Sequence, residues 1–338
     1  MKITIKDIAK MANVSTTTVS LVLNKRCHRV SKSKQEEILA LAKKYNYHAN
    51  LAARSLATSE NKILGLILPD LSNLFFASLA QQLEQILRKL GYALFIMSNN
   101  ENAENDLWLV NHLSSLGVAG ILICPAYKSL EDDKLAKRLS NLAIPFVMVD
   151  RAYIERPLNK VYFDHEWGAY QAVNYLIKKG HHEIGCIAPP ASKYQYNSRL
   201  NGYYKALTEN QIDIKKSYVL EGDFRAISGY KNAKLLIEKE PITAIFSCND
   251  IMTLGLLKYV NEQGLKIPDD LSVVSYDNIV DFLAFNIDIS AVEQDVTLLA
   301  KHAVEILVNE LERKDQDLVQ EVCLKPSFVI KDSIKAPN

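Results

Sequence analysis

The sequence predicts a chain in two parts, an all-α head and an α/β body of two doubly wound parallel-sheet lobes. Three observations support this. Apolar residues recur at helical spacing in three short segments before residue 48, short apolar runs alternate with helical segments from residue 63 onward, and the charge divides at the same place. Residues 1–62 carry 12 Lys+Arg against 4 Asp+Glu, a net of +8, while the remaining 276 carry 28 against 35, a net of −7. A small basic domain facing a polyanion, joined to a larger acidic body with a different task, leaves this footprint.

At 338 residues and 48% hydrophobic composition the chain can build two or three cores of ordinary size. No charged segment leads into an apolar stretch with a cleavage site, and no run approaches the ~18 apolar residues of a membrane span. A cytoplasmic protein without a membrane partner is expected. The five cysteines, Cys27, Cys124, Cys186, Cys248 and Cys323, are odd in number and form no C-x-x-C pair, so reduced and mostly buried thiols are expected rather than a disulfide framework.

In the head, Ile5, Ile8, Ala9 and Ala12 keep helical spacing, Asn13 and Val14 interrupt it, and Ser15 offers an N-cap to a second helix through about Leu23. The pattern is helix-turn-helix. Val19, Val22 and Leu23 form the stripe facing the first helix, which leaves Thr16, Thr17, Ser20 and Leu21 on the opposite face as candidates for base edges. Ser31 offers a cap to a third helix with Ile38, Leu41, Ala42 and Tyr45 inward. Lys25, Arg26, Arg29, Lys32 and Lys34 read as phosphate-neutralising groups or, more plainly, as a solvated loop. Asn50 to Ala57, with Ala52, Ala53, Arg54 and Leu56, has good helix formers but is too short to be helical alone in water, so its helix needs partners.

The runs IKDIAKMANVSTTTVSLVLN, RVS and YNYHANLAARSL, within residues 5–56, resemble the lactose/galactose repressor family of bacterial transcription regulators. That resemblance implies base reading by Thr16, Thr17 and Leu21, and phosphate contacts by Thr4, Ser15, Thr18, Asn24 and Arg29. It also implies that two hinge segments, with Asn50, Ala53 and Arg54, pair in the minor groove while Leu56 wedges into a base step. A linker role for Leu56, packed on the body, is the plainer alternative. Many members carry Arg where this chain has Leu21, and Leu can touch a thymine methyl but cannot contact guanine bidentately, so an unusual half-site is expected.

The body opens with seven expected strands: Ile63–Leu68, Ala93–Met97, Ala119–Cys124, Phe146–Val149, Glu183–Ala188, Ala244–Ser247 and Leu271–Ser275. Ligands in such sheets bind beyond the carboxyl ends of strands, and polar or aromatic residues sit at those ends here. The resemblance, which extends to sugar-binding periplasmic proteins, maps an effector site onto Asn73, Phe75, Phe76, Asp150, Arg151, Arg199, Phe224, Asn249, Asp277 and Gln294. The chemistry suits a sugar, whose hydroxyls pair with carboxylate, guanidinium and amide and whose C–H face packs on rings. The Asp150–Arg151 pair resembles sugar-binding members more than purine-binding ones. Each residue singly has a plainer role: Phe75 and Phe76 as core, Arg199 in a surface ion pair, Asn249 as an N-cap, Asp277 in a turn.

The expected division is a helix-turn-helix domain at 1–48, a hinge helix and linker at 49–62, a first lobe at 63–160 with 292–320, and a second lobe at 161–291 with 321–338. The body is expected to be periplasmic-binding-protein-like. The 12 glycines form no G-x-G-x-x-G, G-x-x-x-x-G-K-[ST] or G-x-S-x-G, so no enzyme and no cofactor are expected, and His181, His182 and Cys186 straddle a turn rather than suggesting a metal site. No heptad seam follows Leu311, so the resemblance implies a homodimer on palindromic double-stranded operator DNA. It further implies a cytoplasmic, nucleoid-associated repressor of a carbohydrate-utilisation operon, with operator affinity set by a sugar or sugar phosphate in the cleft between lobes. Operator binding is predicted to weaken by about two or more orders of magnitude between 50 and 200 mM salt as phosphate contacts release counterions; a flat salt titration would contradict a phosphate-anchored head.

Overall fold

Three helices make the head: α1 at Ile5–Met11, α2 at Thr16–Leu23 and α3 at Lys32–Lys44. A capping box starts α1, in which Asp7 Oδ2 accepts from the Thr4 amide at 2.9 Å and the Thr4 hydroxyl accepts from the Asp7 amide. Asn13 turns the chain out of α1 at φ 51°. Ile8, Ala12, Val19, Val22, Ile38 and Ala42 then meet in a small core. Three details differ from expectation. Ser31 occupies the N-cap position of α3 but its hydroxyl makes no capping bond. Tyr45 stays 39% exposed while Tyr47 packs on the core, because α3 ends before the next inward turn. Lys34 donates to the Ala12 carbonyl at 2.9 Å and to Glu37 at 2.7 Å, which uses its charge to close α1 onto α3.

The computed structural model describes residues 3–23, 30–45, 47, 61–190, 198–279, 287–312 and 318–337. Asn24, Lys25, Arg26, Arg29, Asn50, Ala53, Arg54 and Leu56 fall outside the described residues. Head and body form separate units, 1–62 and 63–338.

The first lobe of the body interleaves β1 (Ile63–Leu68), α4 (Leu74–Lys89), β2 (Ala93–Ser98), α5 (Ala103–Ser115), β3 (Gly120–Ile123), α6 (Lys134–Ser140), β4 (Phe146–Val149) and β5 (Lys160–Phe163). In the second come α7 (His165–Lys178), β6 (Ile184–Ala188), α8 (Ser198–Glu209), β7 (Val219–Glu221), α9 (Ala226–Lys239), β8 (Ala244–Ser247), α10 (Asp250–Glu262), β9 (Ser272–Asp277) and β10 (Ser290–Glu293). The chain then returns through α11 (Val296–Glu312) and β11 (Glu321–Leu324) to the first lobe, and ends with β12 (Ser327–Val329) in the second. The sheets run β11-β5-β4-β3-β1-β2 and β12-β10-β9-β8-β6-β7. All pairings are parallel except β10 with β12.

Strand pairing moves the crossings from where the sequence suggests them. β5 belongs to the first sheet, so the first crossing follows Phe163 instead of residue 160; β10 keeps Ser290–Glu293 in the second sheet; and β11 pairs with β5, so the first lobe extends to Leu324 instead of residue 320. The five strands absent from the sequence reading, β5, β7, β10, β11 and β12, have three or four residues each and, unlike the equally short β3, β4 and β8, are broken by polar residues and so do not stand out as apolar runs.

Helix pairs in the second lobe meet at glycines. A Cβ on Gly255 of α10 would lie 1.9 Å from the Ala226 carbonyl oxygen at the start of α9, and one on Gly229 would lie 2.0 Å from the Met252 carbonyl oxygen. Backbone against backbone leaves nothing to repack. Gly255→Ala is therefore predicted to destabilise the protein by about 3 kcal/mol, read as a lowered urea midpoint; an unchanged midpoint would show that these helices can separate freely.

Candidate functional site

Four strand ends and one helix bring the site together. Asn73 N-caps α4, accepting from the Phe75 amide at 3.0 Å, which sets Phe75 and Phe76 facing both the core and the cleft. Asp150 and Arg151 follow β4, Asn249 N-caps α10 after β8, Asp277 ends β9, and Arg199 reaches in from α8. These residues and Phe224 line one inner cavity with a volume of about 20 Å³, room for about one water. Gln294 stands behind it, donating to Asp277 Oδ1 at 2.6 Å. The plainer roles hold as well for Asn249, a true N-cap, and for the two phenylalanines, which are core.

Three of these residues hold left-handed backbones: Asp150 at φ 68°, Phe224 at φ 61° and Asp277 at φ 96°. Such conformations cost about 1–3 kcal/mol each in non-glycine residues and persist where the surroundings over-determine them. Here they aim side chains off strand ends into the cleft.

Electrostatically the cavity is balanced. Arg151 donates to Glu101 at 2.8 and 3.0 Å and to the Pro125 carbonyl at 3.3 Å, and lies 3.7 Å over the Tyr127 ring. Arg199 donates to the Cys248 carbonyl at 2.6 Å, faces Asp277 at 3.3 Å and lies 3.8 Å over the Tyr276 ring. Asn249 Nδ2 donates to Asp277 Oδ2 at 2.8 Å. Asp150 has no such saturation: the Cys124 thiol approaches Oδ2 at 3.9 Å, and Oδ1, buried, accepts no hydrogen bond among the described residues. His165 Nε2 is 3.6 Å from that oxygen. Burial opposes the charge on Asp150, but the His165 ring and the Arg151 and Arg199 guanidiniums outweigh it and hold the carboxyl below its ordinary value. Burial and the Arg199 charge push His165 down, so it stays neutral.

Tyr127, Glu101, His165 and Tyr276 were not legible as site residues. Tyr127 stacks on Phe224 with centroids 5.7 Å apart and planes at 10°. Its turn is pinned by buried Asp106, which accepts from the Ala126 amide, Ser129 and Asn99 at 2.8, 2.5 and 2.6 Å. The rule that places ligands at strand ends applies equally to the end of β3, and would have found it.

In the head, Thr4, Ser15, Thr16, Thr17 and Leu21 are exposed. Ser15 caps α2, accepting from the Thr18 amide at 3.1 Å, and its hydroxyl pairs with that of Thr18 at 2.9 Å. Hydroxyls and a helix N-terminus on one open face suit phosphate oxygens.

A helix-turn-helix head on a two-lobed α/β body with a polar cavity beyond its strand ends defines a ligand-responsive DNA-binding regulator. Residues 4–50 match the family described as "Bacterial regulatory proteins, lacI family", and residues 173–334 match "Periplasmic binding protein-like domain". The HTH-type transcriptional repressor PurR of Haemophilus influenzae (strain PittEE) is 35% identical over 341 residues, covering 98% of this chain and 99% of that one. The lac repressor dimer bound to operator and the anti-inducer ONPF superposes with a TM-score of 0.87 at 28% identity, covering 99% of this chain and 100% of that one. A LacI-family transcriptional regulator from Enterococcus faecium with bound ribose gives 0.72 at 25% identity, covering 82% and 100%. The chain belongs to the LacI family of DNA-binding transcriptional repressors, and is not an enzyme.

Because folding holds His165 below its ordinary value, the unfolded chain binds the extra proton first on acidification, and stability falls as pH drops through about 6.5. His181, also lowered mainly by burial, contributes in the same sense. His165→Gln should flatten part of the fall in thermal midpoint between about pH 7 and 5.5; an unaltered pH profile would show that His165 does not titrate with folding.

Proposed function

We propose that this repressor works as a homodimer on a palindromic operator of a carbohydrate-utilisation operon, and that a sugar or sugar phosphate in the cleft between the lobes, contacting Asp150 and Asp277, controls its operator affinity. The observation that carries the reading is Asp150 Oδ1, a buried carboxylate oxygen that accepts no hydrogen bond among the described residues, beside a cavity lined by two guanidiniums, two amides and aromatic rings. Sugar hydroxyls supply donors, and the rings of Phe76 and Phe224 supply surfaces for C–H faces. Thr16, Thr17 and Leu21 read bases; Thr4, Ser15, Thr18, Asn24 and Arg29 contact phosphates. Asn50, Ala53, Arg54 and Leu56 form the minor-groove segment, with Leu56 as the wedge.

An apolar edge supports the dimer. Phe95 and Ile96 are 50% and 40% exposed on edge strand β2, and Leu71 and Leu74 are 46% and 44% exposed just before and at the start of α4, which packs on β2. Exposed apolar edge strands are normally covered.

A ligand shifts operator affinity only by its differential affinity for two states, typically ~1–3 kcal/mol or about 5–150-fold. In Asp150→Ala, operator affinity measured by fluorescence anisotropy should stay within about twofold of the parent while the sugar response disappears. Loss of both would assign Asp150 to folding, and a retained response would remove it from the site.

A further inference from the structure

The inner cavity, at about 20 Å³, admits about one water, whereas pockets that hold small-molecule ligands measure ~300–1,000 Å³. Some part of its lining must therefore move before a ligand enters. Most of that lining is fixed: Phe75 and Phe76 belong to the first-lobe core, Arg151 is bound to Glu101, and Arg199 and Asn249 are held by Asp277. Tyr127 and Phe224 differ, because both are only half-buried.

Their stack crosses the boundary between the lobes. Tyr127 opens the turn after β3 in the first lobe, and Phe224 follows β7 in the second. Arg151 lies 5.3 Å from the Phe76 ring centroid and 3.7 Å from that of Tyr127, and Tyr127 in turn stacks on Phe224 at 5.7 Å. The Tyr127 ring joins none of the body's hydrophobic cores among the described residues, so these two contacts are what hold it. Both backbones are pinned. Asp106 accepts from the Ala126 amide at 2.8 Å and Glu101 from the Tyr127 amide at 3.4 Å, while Asp223 accepts from the Arg225 amide at 3.0 Å. The ring can leave by turning about its own side-chain bonds or by the lobes parting, and either motion breaks the stack.

We propose that Tyr127 is the gate of this cavity: in the free protein its ring, against Arg151 and Phe224, clasps the lobes together and takes the room a ligand needs, so that a ligand binds by exchanging with it. This rests on the reading of the cleft as the effector site and adds what the ligand has to displace. An aromatic pair or a cation–π contact shifts a two-state equilibrium by roughly 2- to 10-fold, so the clasp holds most molecules closed without locking them. A ligand that needs the open arrangement binds more weakly in proportion to the fraction of molecules that are open.

p-Cresol, the tyrosine side chain cut off at Cβ, tests the gate without a known effector. In isothermal titration of the full chain it should bind Tyr127→Ala saturably, and about tenfold or more tightly than it binds the parent or Tyr127→Phe, since only the alanine variant gives up the ring's place. Equal binding to all three would overturn the proposal. Phe224→Ala reads the clasp from the other lobe: deuterium exchange at the amides of residues 126–129 should become severalfold faster although the substitution lies across the boundary, and unchanged exchange there would overturn it. Neither readout depends on which ligand the cleft takes. Failure of the gate leaves the effector reading to the Asp150→Ala experiment, and failure there leaves the gate standing.

Discussion

The body depends on how one buried carboxylate is held. Asp277, 3% exposed at the end of β9 and at φ 96°, receives Asn249 from the start of α10, Arg199 from α8 and Gln294 from the segment between β10 and α11. A buried carboxylate is tolerable only when paired and hydrogen-bonded, and each of its partners lies on a different element. Gln294 sits where the chain leaves the second lobe for the first. A change at Asp277 is thus felt at once in the binding cavity and in one of the strands of chain that join the lobes.

Asp150 is the counterpart in the first lobe, and its environment is the opposite. Where Asp277 is saturated by three side chains, Asp150 keeps an unbonded oxygen beside a neutral His165. The left-handed backbones of both residues are accounted for by the same demand, that side chains on strand ends turn into the cleft rather than continue the sheet's alternation.

Much of this was legible from residue types and positions alone. The head's three helices follow from spacing and the seven most apolar strands from their runs, and nine of the ten expected effector residues line a single cavity, with Gln294 behind Asp277. What escaped did so for physical reasons. Lys34 reads as one more phosphate-facing cation until the Ala12 carbonyl is seen beside it. Glu101 and Arg151 are 50 positions apart, so nothing in the chain announces their pairing. Tyr276 lies on β9, buried throughout, where no alternation separates a residue facing the cleft from one facing the core.

The central claim is that the polar cluster around Asp277 carries the ligand signal. Operator titrations of the parent and of Asp277→Asn, each with and without a saturating sugar that binds the parent, test it most directly. Equal operator affinity in the two free proteins, with the sugar effect lost only in Asp277→Asn, is the predicted result; a sugar effect of full size in Asp277→Asn would contradict it.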